Sequence, residues 1–372
     1  MKRSPPSARR LRETCLNIAV ARCSLFLSLL LVDRALPLLG LAPVAKPVSE
    51  LGLTRSANEF GTHLEPGYQG IYANSEFTIH LDINSRGLRG PEVPLERTID
   101  TSRVLAVGDS FTFGQGVEFA DSWPHLVEER LAQTRRVEVL NAGWADAGPN
   151  GYLAFLRRSG FDYRPDLVLV GFFVGNDVVD DMADAVVGDR SADRVAFRAS
   201  YLSNLQLRVG TPGVLRGLVD SLFPNLYELG ALGLVRMQYL VGGHRDHFDY
   251  ILKSPPPPDL DEGWRHTLAT LQDIDRETRA RGARLGVVVI PFLDQVAPTE
   301  YDSGHVRDLP QQRTLGFCRD EHLDCLDLLP ALRRAGPPQS LYYVKDGHFT
   351  PRGTAAAAGA IAEWIVTSGL IR

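Results

Sequence analysis

The sequence predicts an α/β fold: a three-layer α/β/α sandwich around a parallel sheet, with an N-terminal membrane helix and a helical insertion. Three observations carry this. From Arg103 onward, short apolar runs alternate with helical stretches. Those runs are near-continuous rather than alternating in polarity, as in strands buried on both faces. The chain has 372 residues, 44% hydrophobic and 23% charged, which suits one large packed domain with appendages.

The amino terminus is basic first, at Lys2, Arg3, Arg9, Arg10 and Arg12, then mostly apolar from Cys15 to Val32, ahead of Asp33 and Arg34. That order predicts an anchor whose N-terminus stays in the cytoplasm. As a helix the run spans about 27 Å, close to the roughly 30 Å hydrocarbon layer. Arg22 interrupts it, and a cleaved signal peptide and an amphipathic cytosolic helix are the competing readings. The long charged leader and the lack of an A-x-A site after the run count against cleavage. With an anchor, everything after about residue 43 faces the oxidising side, where Cys318 and Cys325 are able to pair; two buried thiols are the alternative.

Residues 44–100 are rich in Gly, Pro and Asn, with an alternating piece at Phe77–Leu81 and a turn at Asn84-Ser85-Arg86-Gly87. They read as a small β-rich preface. The domain that follows, 101–372, opens with the strand Val104–Val107, a helix from about Trp123 to Gln133, the strand Val137–Leu140, a helix near Gly151–Arg158, and the strand Leu167–Phe173. An insertion at about 178–261 begins acidic at Asp180-Asp181 and ends at Pro255–Pro258; it reads as a lid beside the site or as an excursion on the sheet edge. A helix at about Glu262–Arg281, the strand Leu285–Ile290, a helix near Arg313, a strand at Leu323–Leu326 and an Ala-rich helix at about Pro351–Ser368 complete the alternation.

Composition narrows the function. With 45 acidic against 40 Lys and Arg residues the net charge is −5, and no Lys/Arg stripe is interleaved with aromatics, so no nucleic-acid partner is expected. Four cysteines without a CxxC make neither a disulfide scaffold nor a zinc site. Gly108 through Gly116 lacks the GK[ST] ending of a phosphate loop and the third Gly of a dinucleotide fingerprint, so no cofactor is expected. The sequence names no protein partner.

Three strand ends carry chemistry. Ser110, in Gly108-Asp109-Ser110-Phe111-Thr112, stands where the first buried strand hands over to a helix, at the carboxyl edge where open α/β sheets bind ligands. A hydroxyl nucleophile needs a base and the base an orienter, which Asp346-Gly347-His348 supplies. Asn176, in Gly175-Asn176-Asp177, can aim an amide at an oxyanion. Each alone has a plain structural explanation: a helix N-cap, a turn residue, a loop histidine. Together and in this order they point to acyl-ester chemistry.

Gly108-Asp109-Ser110, the Asn141-Ala142-Gly143 turn, Gly175-Asn176-Asp177 and Asp346-Gly347-His348 resemble the four blocks of the SGNH (GDSL-type) hydrolase superfamily, and Asn84–Arg89 resembles the leader of its membrane-anchored bacterial members. The resemblance spans about residues 84–366. It implies a flavodoxin-like sandwich, Ser110 as nucleophile, His348 as base, Asp346 as orienter, and an oxyanion hole from the Ser110 amide, a second-block amide at Gly143 or Asp146, and Asn176. Many hydrolytic members place the Asp three residues before the His, where this chain has Lys345; the Asp-x-His spacing resembles the superfamily's polysaccharide O-acetyltransferases.

The remaining candidates have blander expectations. His244, Asp246, His247 and His266 read as solvated loop rather than metal ligands. Asp109 and Asp177 are expected to bond nearby loop amides, and Trp144 and Trp264 to pack in the core. The expected function is removal of small O-acyl groups, acetyl foremost, from an envelope glycan or related ester. O-acyl transfer to a polysaccharide and a non-catalytic glycan-binding protein are the alternatives.

Overall fold

The structure, a computed structural model, describes residues 8–39, 41, 53–56, 62–187, 221–240, 248–297 and 304–371. It divides into two compact units: Met1–Ala45 with Ala73–Ser75 and Arg208–Leu234, and the remainder.

In the larger unit five strands form one parallel sheet: β1 (Ser102–Gly108), β2 (Val137–Gly143), β3 (Leu167–Phe173), β4 (Arg284–Ile290) and β5 (Asp324–Asp327), in the order β2-β1-β3-β4-β5. The first strand lies inside the sheet, so the chain reverses direction across it between β1 and β3. Such a switch point opens a crevice at the carboxyl ends of the strands. Val104 to Val107, Leu167 to Val170 and Val287 to Ile290 are all at 0% exposure, which explains their unbroken apolar runs. Truncating one of them, Leu169→Ala for example, is expected to cost about 2–5 kcal/mol.

Helices cover both faces. Trp123–Ala132 packs on Pro351–Thr367, and Pro258–Ala280 packs on Pro149–Arg158 and Asp177–Val187. Trp144 and Trp264 are 4% and 2% exposed and belong to the core, as expected. The preface supplies the short strand Thr78–Asp82, whose burial alternates as its sequence does. Its turn is held by Asn84, whose Oδ1 accepts from Arg86 N and Leu88 N, both at 3.0 Å. Cys318 and Cys325 form a disulfide.

In the smaller unit, helix Ala8–Ala35 carries the expected apolar run. The stretch Leu16–Leu39, which begins in this helix and runs past its end, has a mean hydropathy of 1.8 with 6% buried, long and apolar enough to cross a membrane. Asp33 is buried and caps the helix Pro224–Leu240: its Oδ1 accepts from Leu226 N at 2.8 Å, and Asn225 Nδ2 donates to its backbone carbonyl at 3.2 Å. Phe26 meets Phe223 edge to face at 5.4 Å. Part of the expected insertion therefore belongs with the N-terminal helix; its residues 188–220 and 241–247, with His244, Asp246 and His247, lie outside the described residues.

Candidate active site

β1 ends at Gly108, where a Cβ would stand 2.9 Å from Gly171 O of the neighbouring strand; only glycine fits. Asp109 then caps the short helix Ser110–Phe113, accepting from Phe111 N at 2.9 Å, so Ser110 opens the helix with its amide pointing outward. On the other side, the loop before the last helix is closed on itself. Tyr343 N donates to His348 O and Gly347 N to Tyr343 O, both at 2.8 Å, and Gly347 takes φ +85°, a conformation that favours glycine. Thr350 caps the helix by accepting from Gly353 N, so the loop enters it at a fixed angle.

These two loops bring three expected residues together. His348 Nε2 lies 2.7 Å from Ser110 Oγ, and its Nδ1 lies 2.6 Å from Asp346 Oδ1. With Nδ1–H given to the carboxylate, Nε2 is left to accept the serine proton. Gln115 Nε2 donates to the other oxygen, Asp346 Oδ2, at 3.4 Å. Ser110 is 7% exposed and the His348 and Asp346 side chains 16% and 11%, so the line opens to solvent at one edge. The Phe111 ring stacks on the imidazole at 4.8 Å and on Phe173 at 4.2 Å.

Burial pulls the His348 pKa down, but the charge and hydrogen bond of Asp346 and the charge of Asp109 outweigh it, leaving it above the ordinary value. Asp109 is fully buried, with Oδ2 3.4 Å from Ser110 Oγ. Burial pushes its carboxyl up to about 7, against the His348 charge and the Phe111 amide.

Asn176 follows β3 at 9% exposure, and its buried Oδ1 has no hydrogen-bond partner among the described residues. The ends of a side-chain amide are interchangeable by a flip. Such an unmatched group at a strand end is available to a ligand. Asp177, expected to bond loop amides, instead accepts from Phe173 N, the last amide of β3, and from Tyr152 OH, at 3.1 Å each.

The second block differs from expectation. Asn141-Ala142-Gly143 is not a turn; it forms the last three residues of β2, in register with Ala106–Gly108. The Gly143 N–H donates to Asn141 Oδ1 at 3.0 Å, while Asn141 Nδ2 donates to Phe113 O at 3.2 Å. The Gly143 amide is thus bonded to Asn141 within the strand end. A side chain at Gly143 would collide with the Phe113 backbone, so close approach explains its glycine. Asp146, further on, is exposed with φ +64°.

His266 is exposed, 3.1 Å from Asn150 Nδ2. Asp181, expected to open a lid, is buried and accepts from Asn150 N and Thr267 Oγ1. Gln115 escaped sequence reasoning, because its role depends on a loop 231 positions away.

Residues 253–371 match a family model described as the SGNH hydrolase-like domain of the acetyltransferase AlgX. A comparison with curated proteins finds no match. Among solved structures, a lipolytic protein of the G-D-S-L family from Desulfitobacterium hafniense is 13% identical, covering 71% of this chain and 99% of its own at a TM-score of 0.39. TesA is 16% identical, covering 73% and 100% at 0.42. The acetylxylan esterase Axe2 from Geobacillus stearothermophilus is 13% identical, covering 72% and 96% at 0.40. The family-model match thus covers the part of the chain that holds Asp346 and His348.

Proposed function

We propose that this chain is a serine acyl-ester enzyme acting on small O-acyl groups, acetyl foremost, of a cell-envelope glycan or related ester. The reading is carried by the hydrogen-bonded line Ser110–His348–Asp346, with its 2.7 and 2.6 Å contacts. His348 Nε2 takes the Ser110 proton as Oγ attacks the carbonyl carbon, and Asp346 stabilises the imidazolium that forms. Asn176, the Ser110 amide and a second-block amide, at Gly143 or Asp146, hold the oxyanion. The imidazolium returns its proton to the leaving alkoxide, and an acyl-serine remains. Water then attacks it with His348 again as base. A fluorophosphonate tests the reading: modification of Ser110 is expected, and a folded protein that resists it while Ser110→Ala retains turnover overturns it.

Acyl transfer is the second reading, supported by the acetyltransferase match and the Asp-x-His spacing. In it a glycan hydroxyl replaces water. Acetate release measured with and without a polyol acceptor separates the two.

We further assign the N-terminal helix as a membrane anchor, with 101–372 as the catalytic domain outside the cytoplasm and 44–100 as its preface. The basic leader, the apolar run and the disulfide support this. A C-terminal reporter active only outside the cytoplasm is expected to be active; cytosolic activity in the uncleaved protein overturns the orientation.

A further inference from the structure

The preface reaches both loops of the candidate site with opposite charges. Arg89, 2% exposed, donates from Nη1 to Phe113 O and Gly114 O and from Nη2 to Val117 O, each at 2.7 Å. It thereby holds carbonyls of the segment that leaves Ser110. Glu76 does the converse on the histidine side. Its Oε1 accepts from Val344 N at 3.0 Å, and its Oε2 from Lys345 N at 3.0 Å and Asp346 N at 2.8 Å. Three successive amides thus converge on one carboxylate, a concave nest that suits an anion.

The amide of Asp346 is itself one of the three. Its backbone is fixed by Glu76, while its carboxylate is fixed by Gln115 and by His348 Nδ1. Burial raises the Glu76 pKa, the amides oppose that, and the like charge of Asp346 adds to it. A neutral carboxyl or a side-chain amide there would aim a proton at one of the amides. The loop would then have to shift, and a displacement of about 1 Å at a reacting group costs on the order of 100-fold in rate.

We propose that Glu76 is a positioning residue for the Asp346–His348 pair, fixing the loop backbone so that the imidazole reaches Ser110. The proposal rests on the serine reading above. Glu76→Gln keeps the shape and turns one acceptor into a donor. In the full chain, with p-nitrophenyl acetate as probe, kcat is expected to fall about tenfold or more with KM within about twofold. Circular dichroism should be unchanged, and fluorophosphonate labelling of Ser110 should slow in parallel.

A purely structural brace would lower the folded fraction and act independently of Asp346. The same change is therefore also made in Asp346→Asn, and the labelling rate is followed. An additional loss below about threefold is expected, because the pair that Glu76 positions is already broken. Losses that multiply overturn the proposal, as does a folded Glu76→Gln with normal kcat. If Glu76→Gln and Glu76→Asp both fail to fold, Glu76 is a brace and the proposal is likewise overturned. Activity that survives Ser110→Ala refutes the serine reading itself, whereas Ser110-dependent activity untouched by Glu76→Gln refutes this proposal alone.

Discussion

His348 Nε2 and Ser110 Oγ stand 2.7 Å apart although 238 positions separate them in the chain. The sheet order makes this possible. β1 lies inside the sheet and ends at Gly108, and the loop closed by Tyr343 and His348 returns to that edge before the last helix begins. The geometry of this line is thus a product of non-local contacts, and each residue in it is separately testable.

Asp346→Asn is expected to fold normally and to lose turnover by about 10⁴-fold, the scale seen when a triad aspartate becomes an amide and the imidazole tautomer is no longer fixed. The measurement is kcat beside thermal stability. A rate near wild type would move the orienting role to Asp109, the other carboxylate that raises the His348 pKa.

The acid limb of kcat/KM should lie above 6.5, the ordinary histidine value, because the base must be neutral and His348 is raised. Asp109→Asn removes one charge that raises it, so the limb should move to lower pH. The same variant carries a stability signature. Folding raises the Asp109 pKa from 3.8 to about 7, so its ionisation opposes folding. The penalty is absent below about pH 3.8, grows as pH rises towards 7, and is complete above it. Asp109→Asn should therefore gain melting temperature relative to wild type at pH 8 and not at pH 4. Equal gains at both would show that burial does not govern this carboxyl.

Gly143→Ala tests why the second block needs glycine. Alanine keeps the N–H, so a role as amide donor predicts normal activity. The structure predicts otherwise, since the new Cβ would lie 2.8 Å from Phe113 Cα in the segment that Ser110 opens. A stability loss of about 1–3 kcal/mol from overpacking is expected, together with slower labelling at Ser110. Unchanged melting and labelling would show that the close approach to Phe113 does not require glycine there.

The sheet was legible because its central strands are buried on both faces, which leaves unbroken apolar runs such as Leu167–Phe173. Ser110, Asn176, Asp346 and His348 were legible because each sits in a short block at a strand end or in a closed loop. The local structure of the second block was not legible for a physical reason: Asn141 and Gly143 serve the strand end and the backbone of Phe113, non-local partners that no spacing in the sequence reveals. The roles of Glu76, Arg89 and Gln115 were not legible because their partners are backbone atoms or a loop far along the chain, a relationship without a local pattern.

Asn176 offers the sharpest separation of chemistry from structure. An oxyanion donor meets the developing charge more strongly than the ground-state carbonyl, so its loss appears in kcat with little change in KM. Asn176→Ala should therefore lower kcat by roughly 10²–10³, or about 2.7–4 kcal/mol. Its effect on stability should run the other way. The Asn176 Oδ1 is buried without a partner among the described residues, and deleting an unsatisfied polar atom removes a desolvation penalty. Melting should thus be unchanged or higher in the variant that has lost its activity. If Asn176 instead only shaped the turn between β3 and the helix that begins at Asp177, melting would fall, and kcat per folded molecule would stay near wild type. Thermal melts beside kinetics on p-nitrophenyl acetate distinguish the two. A stable Asn176→Ala with near-normal kcat removes the central strand from the chemistry, leaving Ser110 and the backbone amides to hold the oxyanion alone.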